Sequence, residues 1–544
     1  MRIALYFHTL RYLKVKQIWF QILYRIYKPT QKSIARTVDL RSHDAVVFDV
    51  IKKRISLIGA RQFKFYGETG NLTDIGWDGL EKDKLWRYNQ HYFDDLTAQD
   101  AHKRLVWHKH LLEDWVSKNQ LGKGVGWDPY PISLRIVNWI KWDLNSGDLS
   151  VRCRESLFEQ CLTLESRLEY HILGNHLFAN AKALVFFGCY FEGPDSARLL
   201  RKGLRLMAKE LDIQVLNDGG NFELSPMYHC IFLEDILDLF NVLTTYRPKG
   251  CKSAISSLKS VIPSMLVWMK QMCFEDGRVT CFNDSATNIA SAPADIISYA
   301  KRLGFYDKDI PIAKGVQYKH LADTGYISIT RDDLKLVLDV ANLGPDYLLA
   351  HAHADTLSFE LSVNTQRIIV NSGTSCYGSG ARRGFERSTR AHNTVEIDDC
   401  SSSEVWSTFR VARRARPFGL IIDNSEERLS VECSHDGYAR LTGAPVHTRN
   451  WMIGPEKVVI KDQVTGGFAS AVSRIIFHAD VIIDKKDERT FILVAPNDIN
   501  LTLKVVSGIS TLVAWENTNE FGCLNDTYCL EISLVDGSCL VEIF

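Results

Sequence analysis

In the stretch 351–363, HAHADTLSFELSV, the apolar residues Leu357, Phe359, Leu361 and Val363 alternate with Ser358, Glu360 and Ser362. A period of two is that of a strand with one face buried. Leu334, Leu336, Leu338 and Val340 show the same period upstream. Downstream, β-rich runs at 418–422, 428–432, 457–461, 490–494, 501–506 and 528–533 are broken by turn signals such as Asp423-Asn424, Gly454-Pro455, Thr465-Gly466-Gly467 and Asp536-Gly537. This pattern predicts an antiparallel sandwich. If the strand at 357–363 extends backward, His351, His353 and Asp355 share one face. Two histidines and a carboxylate at alternate positions suit an acid/base pair or metal ligation, and equally a solvent-facing edge.

Before about residue 305 the period is different. Leu157, Cys161, Leu164 and Leu168 recur at three and four, as do Ala197, Leu200, Leu204, Met207 and Leu211, and similar patterns fill 131–142, 176–190, 229–244 and 254–273. A succession of helices forming an array or toroid follows, with the change to strands near 305–322.

The 544 residues carry 65 basic and 65 acidic side chains, so no global field recruits nucleic acid, and an acidic ligand must be bound by local placement. The 13 cysteines are odd in number and lack a C-x-x-C pair, which argues for reduced thiols and a cytoplasmic location. Arg2, Arg11, Lys14, Lys16, Arg25 and Lys28 interrupt the apolar N-terminus, so neither a signal peptide nor a transmembrane segment is expected. The segment is expected to dock its apolar face on the protein itself, with weak association to a membrane surface as the alternative.

Three further clusters combine polar and glycine residues. Gly174-Asn175-His176 opens a helix, where a cap is the plain structural reading. Residues 217–229, NDGGNFELSPMYH, form a glycine-rich turn feeding a helix. Asn371-Ser372-Gly373-Thr374 leads through Arg382, Arg383, Arg387 and Arg390 to His392-Asn393-Thr394, and clustered arginines offer bidentate sites for carboxylate or sulfate.

Taken in order, LWRYNQHYFDDL (85–96), WDPYPISLRIVNWIKW (127–142), GNHLFANAKAL (174–184), GGNFELSPMYH (219–229), CFNDS (281–285), HAHADTLSFEL (351–361), VNSGTSCYG (370–378) and RAHNTVEID (390–398) resemble the heparinase II/III-like family. The resemblance implies a multidomain α+β fold. An extension at 1–95 would pack on an incomplete (α/α) toroid at 96–312, followed by an antiparallel β-sandwich at 313–544. It also implies β-elimination on a uronate-containing acidic polysaccharide, with no cofactor required. Asn175, helped by His176, would clamp the uronate carboxylate. Tyr228 would donate a proton to the leaving oxygen and could also be the base, with His351 the other acid/base candidate. Glu223, Tyr377, Arg387 and Arg390 are expected to contact substrate, and the Arg382–Arg390 cluster to depress the Tyr228 pKa.

His353 and His392 match family positions that can hold a structural zinc or other divalent metal. The acidic residue expected beside them is Asn371 here, a poorer ligand, so either Asp355 substitutes or the metal is weak or absent. The cytoplasmic reading points to members encoded with capsule or O-antigen functions. Two alternatives stay open: a glycoside hydrolase using Glu223 and Asp284, and a non-catalytic glycan-binding or assembly protein. The sequence leaves the oligomeric state open.

Overall fold

The computed structural model describes residues 2–26, 39–42, 49–146, 148–306, 315–425 and 428–544. Lys28 and the expected 312/313 boundary lie outside the described residues.

The helical spacing yields long helices at Leu105–Lys118, Pro129–Ser146, Val151–Ser166, Gly174–Tyr190, Pro194–Gln214, Pro226–Tyr246 and Lys252–Gln271. Their apolar stripes meet in one core, where Leu157, Leu164, Leu184 and Leu237 are fully buried. Glycines let the helices Gly174–Tyr190 and Pro194–Gln214 approach closely. A Cβ on Gly188 would lie 2.5 Å from Leu200, and one on Gly203 would lie 2.9 Å from Val185. The centre of this core is not wholly apolar. Lys141 and Lys182 both reach Asp238 at 2.5 Å, and Lys182 also reaches Asp235 at 2.6 Å, tying three helices together by buried, mutually compensated charge.

Before these helices, the strands Leu57–Gly59, Gln62–Phe65 and Glu68–Asn71 form a small sheet whose Phe65 packs edge-on against Trp86. The helices Arg2–Leu10 and Val15–Ile26 dock by one side only, with Tyr6 against Trp406 and Phe20 against Tyr170. Contrary to expectation, they leave a large apolar face uncovered.

Among the described residues the β part contains antiparallel sheets of five, four, eight and two strands. The five-stranded sheet, from Val316–Leu321 to Gln366–Ile369, meets the four-stranded one through the Ile369–Phe477 bridge. Phe359, Leu361, Trp451, Leu493 and Leu530 share one apolar core between the sheets, as a sandwich requires. The strand predicted at 357–363 begins only at Phe359. Leu357 sits at φ 62°, which ends the extended run, so His351, His353 and Asp355 lie in an irregular segment and do not share a strand face.

Candidate active site

The site is built where three chain reversals meet. The first is the start of the helix Gly174–Tyr190, where Leu173 and Gly174 both have positive φ. Gly174 has φ +53°, and a Cβ there would sit 2.5 Å from Glu223 Oε1, so glycine is required by both conformation and space. Glu223 occupies that space and accepts the Asn175 N–H at 3.0 Å, capping an otherwise unpaired helix-terminal donor. Among the described residues the Asn175 carboxamide has no hydrogen-bond partner, and it is half-buried. Beside it, His176 Nδ1 lies 2.9 Å from Glu169, and its ring faces that of Tyr130 at 4.4 Å. Burial disfavours the His176 cation, but Glu169 outweighs it and raises the pKa. Burial likewise opposes ionisation of Glu169, and His176 prevails to lower it.

The second reversal places Tyr228 in the first turn of the helix Pro226–Tyr246. Ser225 caps that helix by accepting the Tyr228 N–H at 3.2 Å and donates to the Asp284 carbonyl at 2.6 Å. The third carries His351. Its Nδ1 is 3.0 Å from Asp284 Oδ2, its Nε2 is 3.4 Å from Glu223 Oε2, and its ring stacks on Tyr228. The Tyr228 hydroxyl lies 3.2 Å from that of Tyr377. Asn175, Tyr228 and His351, with Glu223 and Tyr377, therefore line one continuous site.

Asp284 is the hub that sequence reasoning placed only in the hydrolase alternative. Both its oxygens are held by Arg383, and His353 Nε2 and Thr374 Oγ1 also reach it, at 2.8 and 3.3 Å. Burial would raise its pKa, but Arg383 and the two histidines hold it well below the carboxylate range. The sequence did carry a signal. An acid within CFNDS, two residues after Phe282, needs a buried cation.

Three expectations need correction. Arg387 does not face substrate, because its buried guanidinium donates to the carbonyls of Ala352, Ser407 and Thr408. Arg390 turns to Glu396 and Asp399. Nor does the arginine cluster lower the Tyr228 pKa. Burial, then Tyr377 and Asp284, push it well above the ordinary phenol value.

Among the described residues the structure shows no completed metal site. His353 Nδ1 and His392 Nε2 are 3.2 Å apart, but each candidate third ligand is engaged elsewhere. Asn371 Oδ1 accepts the Asn393 N–H at 3.1 Å, Asp355 Oδ2 accepts the Asn283 N–H at 3.1 Å, and Arg383 occupies Asp284. Among the described residues no group of three or more His, Cys, Asp or Glu is arranged to hold a metal.

Comparison with known proteins gives this geometry a context. The chain is 24% identical to a heparin-sulfate lyase of Bacteroides stercoris over 62% of its own length and 57% of the relative's, and 24% identical to one from Pedobacter heparinus over 53% and 47%. It is also 24% identical to FtsZ-localized protein C of Caulobacter vibrioides, over 63% of this chain and 58% of that one. The matched stretches thus span about half the length of these curated relatives. In fold it resembles a heparinase III crystal structure, with TM-score 0.66, 15% identity and coverage of 86% and 76%. It also resembles a heparan sulfate lyase of Pedobacter heparinus, with TM-score 0.59, 16% identity and coverage of 97% and 87%. The heparinase II/III N-terminus model matches residues 112–309 and the heparinase II/III-like C-terminal model matches 313–526. These two matches adjoin across the helical and β parts, and Asn175 and Tyr228 fall in one while His351 falls in the other: the chain belongs to the heparinase II/III-like family.

Proposed function

We propose that the protein is a polysaccharide lyase that cleaves a uronate-containing acidic glycan by β-elimination. The observation that carries this reading is the stacking of His351 on Tyr228, linked through Glu223 to Asn175, whose carboxamide is unpartnered among the described residues. The uronate carboxylate would lie against the Asn175 amide and the His176 cation, which lowers its charge and acidifies the C5 proton. With the His351 Nδ1–H donated to Asp284, Nε2 holds the lone pair and takes that proton. The C5–H electron pair forms the C4–C5 double bond and the C4–O bond breaks. The leaving oxygen takes the Tyr228 phenol proton, which the raised pKa keeps in place until it is needed. Protons then return through solvent.

With Arg387 and Arg390 engaged elsewhere, substrate recognition in this reading rests on the carboxylate, so sparsely sulfated uronate chains are favoured over densely sulfated ones. Thirteen free cysteines suit a reducing compartment, and we place the activity in the cytoplasm, in turnover of a capsule or O-antigen type glycan. The hydrolase reading is weaker, since Asp284 is fully buried and bonded on both oxygens and offers no proton to a glycosidic bond. A non-catalytic scaffold is the second reading, kept because one relative, FtsZ-localized protein C, carries a name that states a location and no reaction. Incubation with a panel of uronate glycans tests the proposal. Ultraviolet absorbance from the new double bond supports it, new reducing ends without absorbance favour the hydrolase, and binding without cleavage favours the scaffold.

A further inference from the structure

The first two helices bind the rest of the protein through a minority of their side chains. Thr9 accepts a hydrogen bond from Trp406 Nε1 at 3.0 Å, Gln17 donates to the Tyr347 carbonyl at 3.2 Å, and Tyr24 donates to the Leu168 carbonyl at 2.6 Å. On the Val15–Ile26 helix, Val15, Ile18, Trp19, Ile22 and Ile26 recur at three and four residues, the spacing of a buried stripe. This stripe is not buried: Val15 is 83% exposed, Trp19 62% and Ile26 79%. Ile3 and Phe7, one turn apart on the preceding helix, are also mostly exposed. Monomeric proteins rarely leave contiguous apolar surface of this kind without an occupant.

Charge identifies the occupant. The whole chain is balanced, yet residues 1–38 contain no Asp or Glu and carry Arg2, Arg11, Lys14, Lys16, Arg25, Lys28, Lys32 and Arg36. Arg25 is exposed at the edge of the stripe, and Arg11 is exposed in the turn between the two helices. A second copy of the chain would bring the same positive charge against this one. An acidic polysaccharide would satisfy the cations and leave Trp19, Phe7 and the isoleucines wet. An anionic lipid surface satisfies both, because a cationic amphipathic helix lies in the headgroup layer with its apolar side chains in the acyl boundary. No described helix is long and apolar enough to cross a membrane, so this element would lie on the bilayer.

We propose that the helices Arg2–Leu10 and Val15–Ile26 form a docking surface for anionic membrane. The test is co-sedimentation of the full chain with vesicles of phosphatidylcholine alone and of phosphatidylcholine with phosphatidylglycerol. The expected result is binding to the anionic vesicles only, weakened by salt, and loss of most of the bound fraction in a Phe7→Ser/Trp19→Ser variant. Both substituted side chains are exposed, so the variant should keep the wild-type melting temperature. A full chain left in the supernatant with both vesicle types overturns the proposal. So does a lipid-free, concentration-dependent dimer that the same variant abolishes, which would make a second copy the occupant. Retention on immobilised acidic polysaccharide that the variant loses, without vesicle binding, would assign the surface to glycan.

Discussion

The His351 and Tyr228 rings lie 3.7 Å apart between centroids and 27° from parallel, although one residue comes from the helical part and the other from the β part. In the proposed chemistry a proton acceptor and a proton donor would address the same space, and Asp284 holds the imidazole from behind through Nδ1. Domain packing builds the site, so its integrity and the stability of the interface are coupled.

Asp284→Asn should therefore damage both. It leaves the buried Arg383 guanidinium without its counter-charge and removes the acceptor that orients His351 and His353. Breaking a buried ion pair from one side costs about 3–5 kcal/mol. Thermal or denaturant unfolding should show a loss of that size together with loss of activity. A variant as stable as wild type would contradict the hub role.

Gly174→Ala should cost about 1–3 kcal/mol, since the position has φ +53° and the new Cβ would press on Glu223 and Leu348. The displaced Glu223 also faces His351, so activity should fall as well. Denaturant midpoints and initial rates read the two effects separately.

How much of this was legible in the sequence differs by element. The alternation after residue 357 and the three-and-four spacing before residue 305 appear as strands and helices because burial on one face imposes both periods. Asp284 as a hub was not legible, because its partners His351 and Arg383 are 67 and 99 residues away and no local pattern encodes such distances. The arginines of 382–390 were visible as a cluster, but their directions were not. The short helix Ala381–Glu386 turns Arg383 inward to Asp284 while Arg382 reaches Glu386. The small sheet at 57–71 was missed because its strands are three or four residues long, too short for periodicity to register.

The pair His176–Glu169 gives a pH signature. The folded pKa of His176 is raised, so the stability it adds is complete below its ordinary 6.5 and disappears as pH rises through the raised value. Glu169 is lowered, so its contribution is present above its ordinary 4.5 and disappears as pH falls through the lowered value. Because the cation also faces the substrate carboxylate in this account, KM for a uronate glycan should rise as pH climbs through the His176 titration. His176→Gln should flatten that rise, and an unchanged profile would remove His176 from the clamp.

Chelation should leave activity and melting temperature unchanged, because Arg383 already neutralises Asp284 and Asn371 and Asp355 are committed to backbone donors. Elemental analysis showing one tightly held zinc per chain would contradict this.

The most direct measurement is the rate of new ultraviolet absorbance from a uronate glycan with wild type and with Tyr228→Phe. The substitution keeps the ring stacked on His351 and removes only the hydroxyl that reaches Tyr377. The account predicts a fall of about 100- to 10,000-fold with little change in melting temperature. A Tyr228→Phe protein that forms the unsaturated product at the wild-type rate would contradict it.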